Sequence, residues 1–246
     1  VERLGIDIGG TGVKGALVDL GEGQLTTERY RLDTPKGGRP DDVARTVAKV
    51  VARHGGEGVV GITFPGVVMH GVVKTAANMD ASWVDLDADE MFTGIVGRPV
   101  HLMNDADAAG VAEMRFGAGR SRTGVVVMVT LGTGIGSAVF VDGVLVPNTE
   151  LGHIELDGKD AELQASGRAQ EREKLGWKDY GKRVQKYLRR IEGLLWPELI
   201  IVGGGVSKEH AKLFPNVKIR TEMVPAQLLN NAGIVGAAVT AGEILG

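Results

Sequence analysis

Asp7-Ile8-Gly9-Gly10-Thr11 ends the first apolar run of the chain, and Leu131-Gly132-Thr133-Gly134-Ile135-Gly136 ends another far downstream. Each passes into a second apolar run, Val13 to Leu20 and Ser137 to Val141, so both read as tight β-hairpin turns. A turn made of Gly and Thr bares backbone N–H groups and hydroxyls with no Cβ in the way, a surface suited to a phosphate chain. One such turn is equally well a hairpin without a ligand. The repetition, with Thr in both copies and Asp7 in the first, points to paired phosphate loops. A Rossmann fingerprint would lead from strand into helix, whereas Gly132, Gly134 and Gly136 are spaced by two and lead into another strand. The G-x-x-x-x-G-K run that begins at Gly176 is followed by Arg183, lies in a charged helical segment and has no strand before it, so it is set aside.

Outward from the first turn, strands are expected near Arg3–Ile8, Val13–Asp19 and Leu25–Leu32, then a helix over Asp41–His54 and a strand at Gly58–Thr63. A short helix near Asp87–Ile95, a strand at Pro99–Met103 and a helix over Ala106–Phe116 follow. From about Thr123 the pattern restarts with strands Val125–Thr130, Ser137–Val141 and Val144–Val146. Charged helices from Ala161 to Leu195, a strand at Leu199–Val202 and an Ala/Gly-rich helix over Ala232–Leu245 complete it. Both halves open strand, glycine turn, strand, strand, helix, a duplication of topology with weak sequence identity. The expected architecture is therefore α/β in two lobes, 1–106 and 107–246, with the loops facing across a central cleft and the last helix able to return to the first lobe.

At 246 residues the chain can bury a substantial core, and its formal charge of −3 exerts no global pull toward nucleic acid or membrane. No apolar run approaches the ~20 residues of a membrane-spanning helix. Glu2 and Arg3 lead straight into the first strand, so no secretory leader is expected. The absence of cysteine excludes disulfides and thiolate zinc sites and fits a cytoplasmic protein.

Asn104-Asp105 stands where a strand gives way to a helix, the usual address of functional side chains in α/β proteins. Asp105 or Asp107 as a simple helix cap, worth ~1 kcal/mol, is the competing explanation. A carboxylate at position 105 also suits a base that takes a hydroxyl proton during phosphoryl transfer. Glu150-Leu151-Gly152-His153 sets two polar groups three apart, able to grip vicinal hydroxyls if the segment is helical. A surface pair and a metal site compete with that reading. The metal reading lacks further ligands, because His54, His70, His101 and His210 are scattered. Asn78 lies on a loop able to close over the same pocket, and Gly203-Gly204-Gly205 offers N–H groups for a distal phosphate or is a plain β-to-α turn.

The D-x-G-G-T turn at Asp7–Thr11, the N-D pair at Asn104-Asp105, the L-G-T-G-I-G loop at Leu131–Gly136, E-x-G-H at Glu150–His153 and the glycines at Gly203–Gly205 occur in one order. In this order they resemble the ROK family of sugar kinases, within the actin-like ATPase superfamily of ribonuclease H-like fold. The resemblance implies that Asp105 is the catalytic base. It also implies that Asn78, Asn104, Asp105, Glu150, His153 and a later Glu, assigned to Glu162, hold the sugar. Gly9, Gly10, Thr11, Lys14, Thr133, Gly134, Gly204 and Gly205 would hold the donor phosphates, with Asp7 on Mg²⁺ directly or through water. Many members carry a cysteine-rich zinc motif after E-x-G-H; this chain has Gly158-Lys159-Asp160-Ala161-Glu162 instead, and no zinc is expected. Thr63-Phe64-Pro65-Gly66-Val67-Val68, Ala76-Ala77-Asn78 and Ser82-Trp83 make it most similar to the members that phosphorylate glucose with polyphosphate as well as ATP. A homodimer is implied, with no nucleic-acid or membrane partner; the family's regulators carry a helix-turn-helix, which is not read here. A polyphosphate donor would need a basic track. Its candidates are Lys14, Arg120, Arg122 and the segment Arg168–Arg190, where a solvated amphipathic helix is the rival explanation.

Overall fold

The first glycine turn joins β1 (Glu2–Ile8) to β2 (Gly12–Asp19), antiparallel, with Ile8 opposite Val13. A computed structural model describes residues 1–246, and in it the chain divides into two compact units, 1–112 with 231–246, and 113–230. In unit 1, β2 also pairs with two short strands, β3 (Gln24–Leu25) and β4 (Tyr30–Asp33). One continuous strand was expected there. The Thr27 hydroxyl receives the Leu17 N–H at 3.0 Å, a side chain replacing the backbone acceptor, and this splits the strand.

Helix α1 (Pro40–His54) starts on Pro40, carries Asp41 and Asp42 in its first turn and stops at Gly55. It leads to β5 (Val60–Phe64), a small ribbon of β6 (Val68–Met69) and β7 (Val72–Val73), α2 (Ala88–Val96), β8 (Val100–Asn104) and α3 (Asp105–Phe116). The sheet order is β3-β2-β1-β5-β8, with β1, β5 and β8 mutually parallel. Helix α3 runs unbroken through position 106, and the division between the units falls after Ala112.

Unit 2 repeats this order. Strands β9 (Val125–Leu131), β10 (Ile135–Val141) and β11 (Val144–Val146) form the meander, followed by the two-residue strands β12 (Glu155–Leu156) and β13 (Lys159–Asp160). Three helices come next, α4 (Glu162–Ala165), α5 (Gly167–Arg172) and α6 (Trp177–Leu195). Then β14 (Leu199–Gly203), α7 (His210–Leu213) and β15 (Glu222–Pro225) give the sheet β11-β10-β9-β14-β15. Helix α6 buries Tyr180, Val184, Tyr187, Leu188 and Ile191, an apolar stripe at helical spacing, against Val127, Val129, Ile200 and Val202.

The closing helix, α8 (Ala232–Leu245), belongs to unit 1. Leu4, Ile6, Ile8, Val60, Ile62 and Phe64 lie in one core with Val43, Val47 and Val50 of α1. The alternate positions Gly5 and Gly61, paired in register, meet α8. A Cβ on Gly5 would stand 2.0 Å from the Ile234 carbonyl oxygen, and one on Gly61 1.9 Å from that of Ala237. On the helix itself, Gly236 approaches Ala108 of α3 so closely that a Cβ would be 1.8 Å from its carbonyl oxygen. No helix of the protein is long and apolar enough to cross a membrane.

Gly61→Ala is therefore expected to destabilise unit 1 by at least about 1–3 kcal/mol, the usual cost of overpacking, read as a lower urea midpoint or Tm. Gly94→Ala, in α2 with no atom near the added methyl, is the reference substitution and should leave stability unchanged or raise it by up to ~1 kcal/mol. Equal midpoints for wild type and Gly61→Ala would contradict this packing.

Candidate functional site

Because β1, β5 and β8 are parallel, they end on one edge of the unit 1 sheet, where ligands of α/β sheets bind. Asp7 and Thr63 are register partners at that edge. The Thr63 hydroxyl donates to Asp7 Oδ1 at 2.8 Å, and Lys14 Nζ donates to Oδ2 at 3.1 Å. Lys14 is thus brought onto Asp7. Gly233, in the first turn of α8, lies beside the same carboxylate: its absent Cβ would be 3.4 Å from Oδ1. The first turn of α8 thus lies against Asp7. In the turn, Gly9 N–H donates to Gly12 O at 2.9 Å, while Gly10 and Thr11 are exposed. Arg31, which sequence reading passed over, braces this turn by donating to Thr11 O at 2.8 Å. No group of three or more acidic or histidine side chains able to hold a metal is present. A lone carboxylate, already accepting a hydroxyl and an ammonium, suits Mg²⁺ held through water and donor phosphates.

Asn104 ends β8 and is buried. Its Oδ1 accepts the N–H groups of Ala106 at 2.8 Å and Asp107 at 3.0 Å, the N-cap of α3, so the cap is supplied by the Asn. Its amide nitrogen donates to Gly66 O at 3.0 Å. Both ends of Asn104 are thus spent on backbone, fixing the strand end on which half-buried Asp105 stands. Asp105 Oδ1 accepts the Ala106 N–H at 2.8 Å. Gly66 packs on Thr75, whose hydroxyl accepts the Val67 N–H at 2.9 Å, and the chain continues to exposed Asn78. Beyond Asn78, Trp83 anchors the loop: it is fully buried against Phe64 and donates from its indole to Gly38 O at 2.7 Å.

In unit 2, β9 and β14 are parallel, with Gly203 opposite Thr130, so the second glycine turn and the triple-glycine turn lie side by side. A pocket of about 550 Å³ opens over them, lined by Gly132, Thr133, Gly205, Arg168, Trp177 and Glu209 among others. Thr133 and Gly205 share it; Gly134 and Gly204 do not line it. Gly204 has φ +75° and packs where a Cβ would meet the Leu131 backbone, so its glycine serves the chain path. Gly134 lacks a Cβ because Glu162 takes that space, and the Ile135 N–H donates to Glu162 at 3.3 Å. The segment after Gly204 is a 3₁₀ turn, Gly205–Glu209. Arg168 opens the basic segment Arg168–Arg190 named above, whereas Trp177 carries no sequence pattern that marks it.

Leu151–His153 is also a single 3₁₀ turn, closed by His153 N–H to Glu150 O at 3.1 Å. Gly152 is required in E-x-G-H because a Cβ would stand 2.2 Å from Ile135 O. His153 Nε2 lies 3.9 Å from Glu150 Oε2, and Nδ1 lies 2.8 Å from Asp160 Oδ2. The Asp160 hydrogen bond raises the imidazole pKa, against partial burial and with further help from Glu162 and Glu150. Burial raises that of Glu150, opposed by His153 and reinforced by Glu162. Glu150, His153 and Glu162 thus form one electrostatic group, able to donate to and accept from hydroxyls. Asp160, which fixes the imidazole, was not picked out from sequence. Its signal was Asp157-Gly158, both with positive φ, the turn that folds β12 onto β13 and sets Asp160 opposite Glu155.

The model of the ROK family matches residues 3–172. The chain is 49% identical over 237 residues to a polyphosphate glucokinase of Mycobacterium tuberculosis H37Rv, covering 96% of this chain and 89% of the relative. It is similar to the crystal structure of an inorganic polyphosphate/ATP-glucomannokinase from Arthrobacter sp. strain KM, with TM-score 0.95, 52% identity and 99% of each chain covered. It is also similar to a ROK family glucokinase of Streptomyces griseus solved with glucose and AMPPNP, with TM-score 0.84, 26% identity, and 99% of this chain and 100% of that one covered.

Asp160→Asn should lower the His153 pKa, measured by NMR titration of its imidazole. The wild-type group is charged more readily than an ordinary histidine, so its Asp160 contact contributes stability at low pH that is lost as pH rises through the raised pKa. An unmoved titration midpoint in the variant would show that Asp160 does not control this imidazole.

Proposed function

The chain belongs to the ROK family, and on that premise we propose that it is a polyphosphate glucokinase, transferring the terminal phosphoryl group of inorganic polyphosphate to the 6-hydroxyl of glucose. The observation that carries this is the 49% identity to a polyphosphate glucokinase across 96% of the chain. ATP serves as a second donor, and mannose as a second acceptor, in keeping with the glucomannokinase at 52% identity.

In this reading the Asp105 carboxylate accepts the proton of the sugar hydroxyl as its oxygen attacks the terminal phosphorus in line. The bond from that phosphorus to the bridging oxygen breaks, and the donor leaves one phosphate shorter. Asn104 holds Asp105 in place through the cap and the Gly66 contact. Asn78, Glu150, His153 and Glu162 take the remaining sugar hydroxyls, with Asp160 fixing the imidazole. The turn at Gly9–Thr11 and the pocket at Thr133 and Gly205 receive donor phosphates. Asp7 would hold, through water, a Mg²⁺ carried by the donor, which would supply positive charge against the transferring group. A cytoplasmic homodimer completes the proposal.

The test is glucose 6-phosphate formation with polyphosphate or ATP as sole donor. Turnover on polyphosphate is the expected result; turnover on ATP alone would leave an ATP-dependent hexokinase. Asp105→Asn should lower kcat by about 10²–10⁴-fold while glucose affinity, measured at equilibrium, stays within a few-fold. Near-normal turnover in that variant would remove Asp105 as the base.

A further inference from the structure

Unit 2 holds a second cavity, about 800 Å³, walled by the β12–β13 hairpin, α4, the end of α5 and the polar face of α6. Lys159, Arg172, Lys182, Arg183 and Lys186 line it, against two acids, Asp157 and Glu173. The chain as a whole has a formal charge of −3, so this is a local excess of positive charge. A merely solvated helix face would be convex; these cations converge on a groove from several elements.

Two of the cations are fixed before any ligand arrives. Glu173 receives Arg172 at 2.7 Å on one oxygen and Arg183 at 2.6 Å on the other, which holds its carboxyl at about 2. Arg172 also donates to Leu163 O at 2.8 Å and Arg183 to Gln164 O at 3.3 Å. The pair of guanidiniums therefore keeps a net positive charge in set positions. Lys182 and Lys186 stand one helical turn apart, about 6 Å along α6. They pair with Asp179 and Asp157 in exposed ion pairs, which are weak and exchange readily for phosphate. Of the other basic candidates, Arg122 is held in a two-point bridge to Glu222 at 2.9 and 2.8 Å, and Lys14 on Asp7.

The groove adjoins the pocket over the second glycine turn. Arg168 lines that pocket and Arg172, four residues on and on the same face of α5, lines the groove. Resting on the polyphosphate reading above, we propose that the groove binds the distal phosphates of a long-chain donor whose reactive end lies in the Thr133/Gly205 pocket. Its ligand is a flexible polyanion with one charge per repeat, recognised by spaced cations. A nucleoside triphosphate has no further phosphates to place there.

The test compares wild type with the double variant Lys182→Gln/Lys186→Gln and with Arg172→Gln, using long-chain polyphosphate and tripolyphosphate as donors over a range of KCl. Both variants should raise KM for the long chain about tenfold, leave kcat close to wild type, and flatten the salt dependence of that KM. The ratio of long-chain to tripolyphosphate kcat/KM should fall accordingly. An unchanged long-chain KM, or an equal loss with both donors, would overturn the groove. Equilibrium binding of long-chain polyphosphate without glucose, alongside a melting curve, separates lost affinity from misfolding; unaltered binding would also overturn it. Wild type that turns over ATP but no polyphosphate of any length would remove the donor reading, and the groove with it.

Discussion

Carbonyl oxygens of α8 occupy the space that the β-carbons of Gly5 and Gly61 would fill, and much of unit 1 follows from that contact. Only glycine at both positions lets a helix backbone lie so close to a pair of strands. With 5 and 61 committed to α8, strand alternation turns Leu4, Ile6, Val60 and Ile62 toward α1. The next pair on the α8 side is Asp7 and Thr63, so the first turn of the helix arrives beside the carboxylate. A packing constraint thus places the one charged side chain of the first glycine turn.

The elements most legible in the sequence were both hairpins and α1, with strong periodicity bounded by glycine, and α8, a continuous Ala/Gly-rich apolar run. Their order alone recovered the repeated opening of each half, strand, glycine turn and strand, while the edge strand β15 of the second sheet went unread. Less visible were features made by single side chains. The Thr27 hydroxyl divides a strand without disturbing its apolar pattern. Asn104 takes the capping role considered for its acidic neighbours, a choice that depends on which side chain the strand end turns inward. Asp160 reaches His153 only through a ribbon of two-residue strands, too short for periodicity to register. Gly134 and Gly204 looked like the other loop glycines, yet their missing β-carbons leave room for Glu162 and for the Leu131 backbone.

The second glycine turn separates two electrostatic environments. Gly132 and Thr133 open toward a pocket that holds Arg168, whereas Gly134 and Ile135 back onto Glu162 and, through it, the acidic surroundings of His153. The first sets Arg168 beside Glu171 and Glu209, so its phosphate-facing groups are backbone N–H and hydroxyl; the second gathers carboxylates around an imidazole, groups suited to hydroxyls. The same six-residue motif thus faces two chemically different surroundings, one on each side of Thr133 and Gly134.

Unit 1 is assembled from both ends of the sequence, and unit 2 is continuous. On the ribosome the chain appears in order. The sheet of unit 1 is made early, but the face carrying Gly5 and Gly61 stays uncovered until Ala232–Leu245 has been synthesised. Unit 2 has all its strands and its core helix before that moment. The edge that carries Asp7 therefore receives its helix terminus only after the strands and core helix of unit 2 have been synthesised.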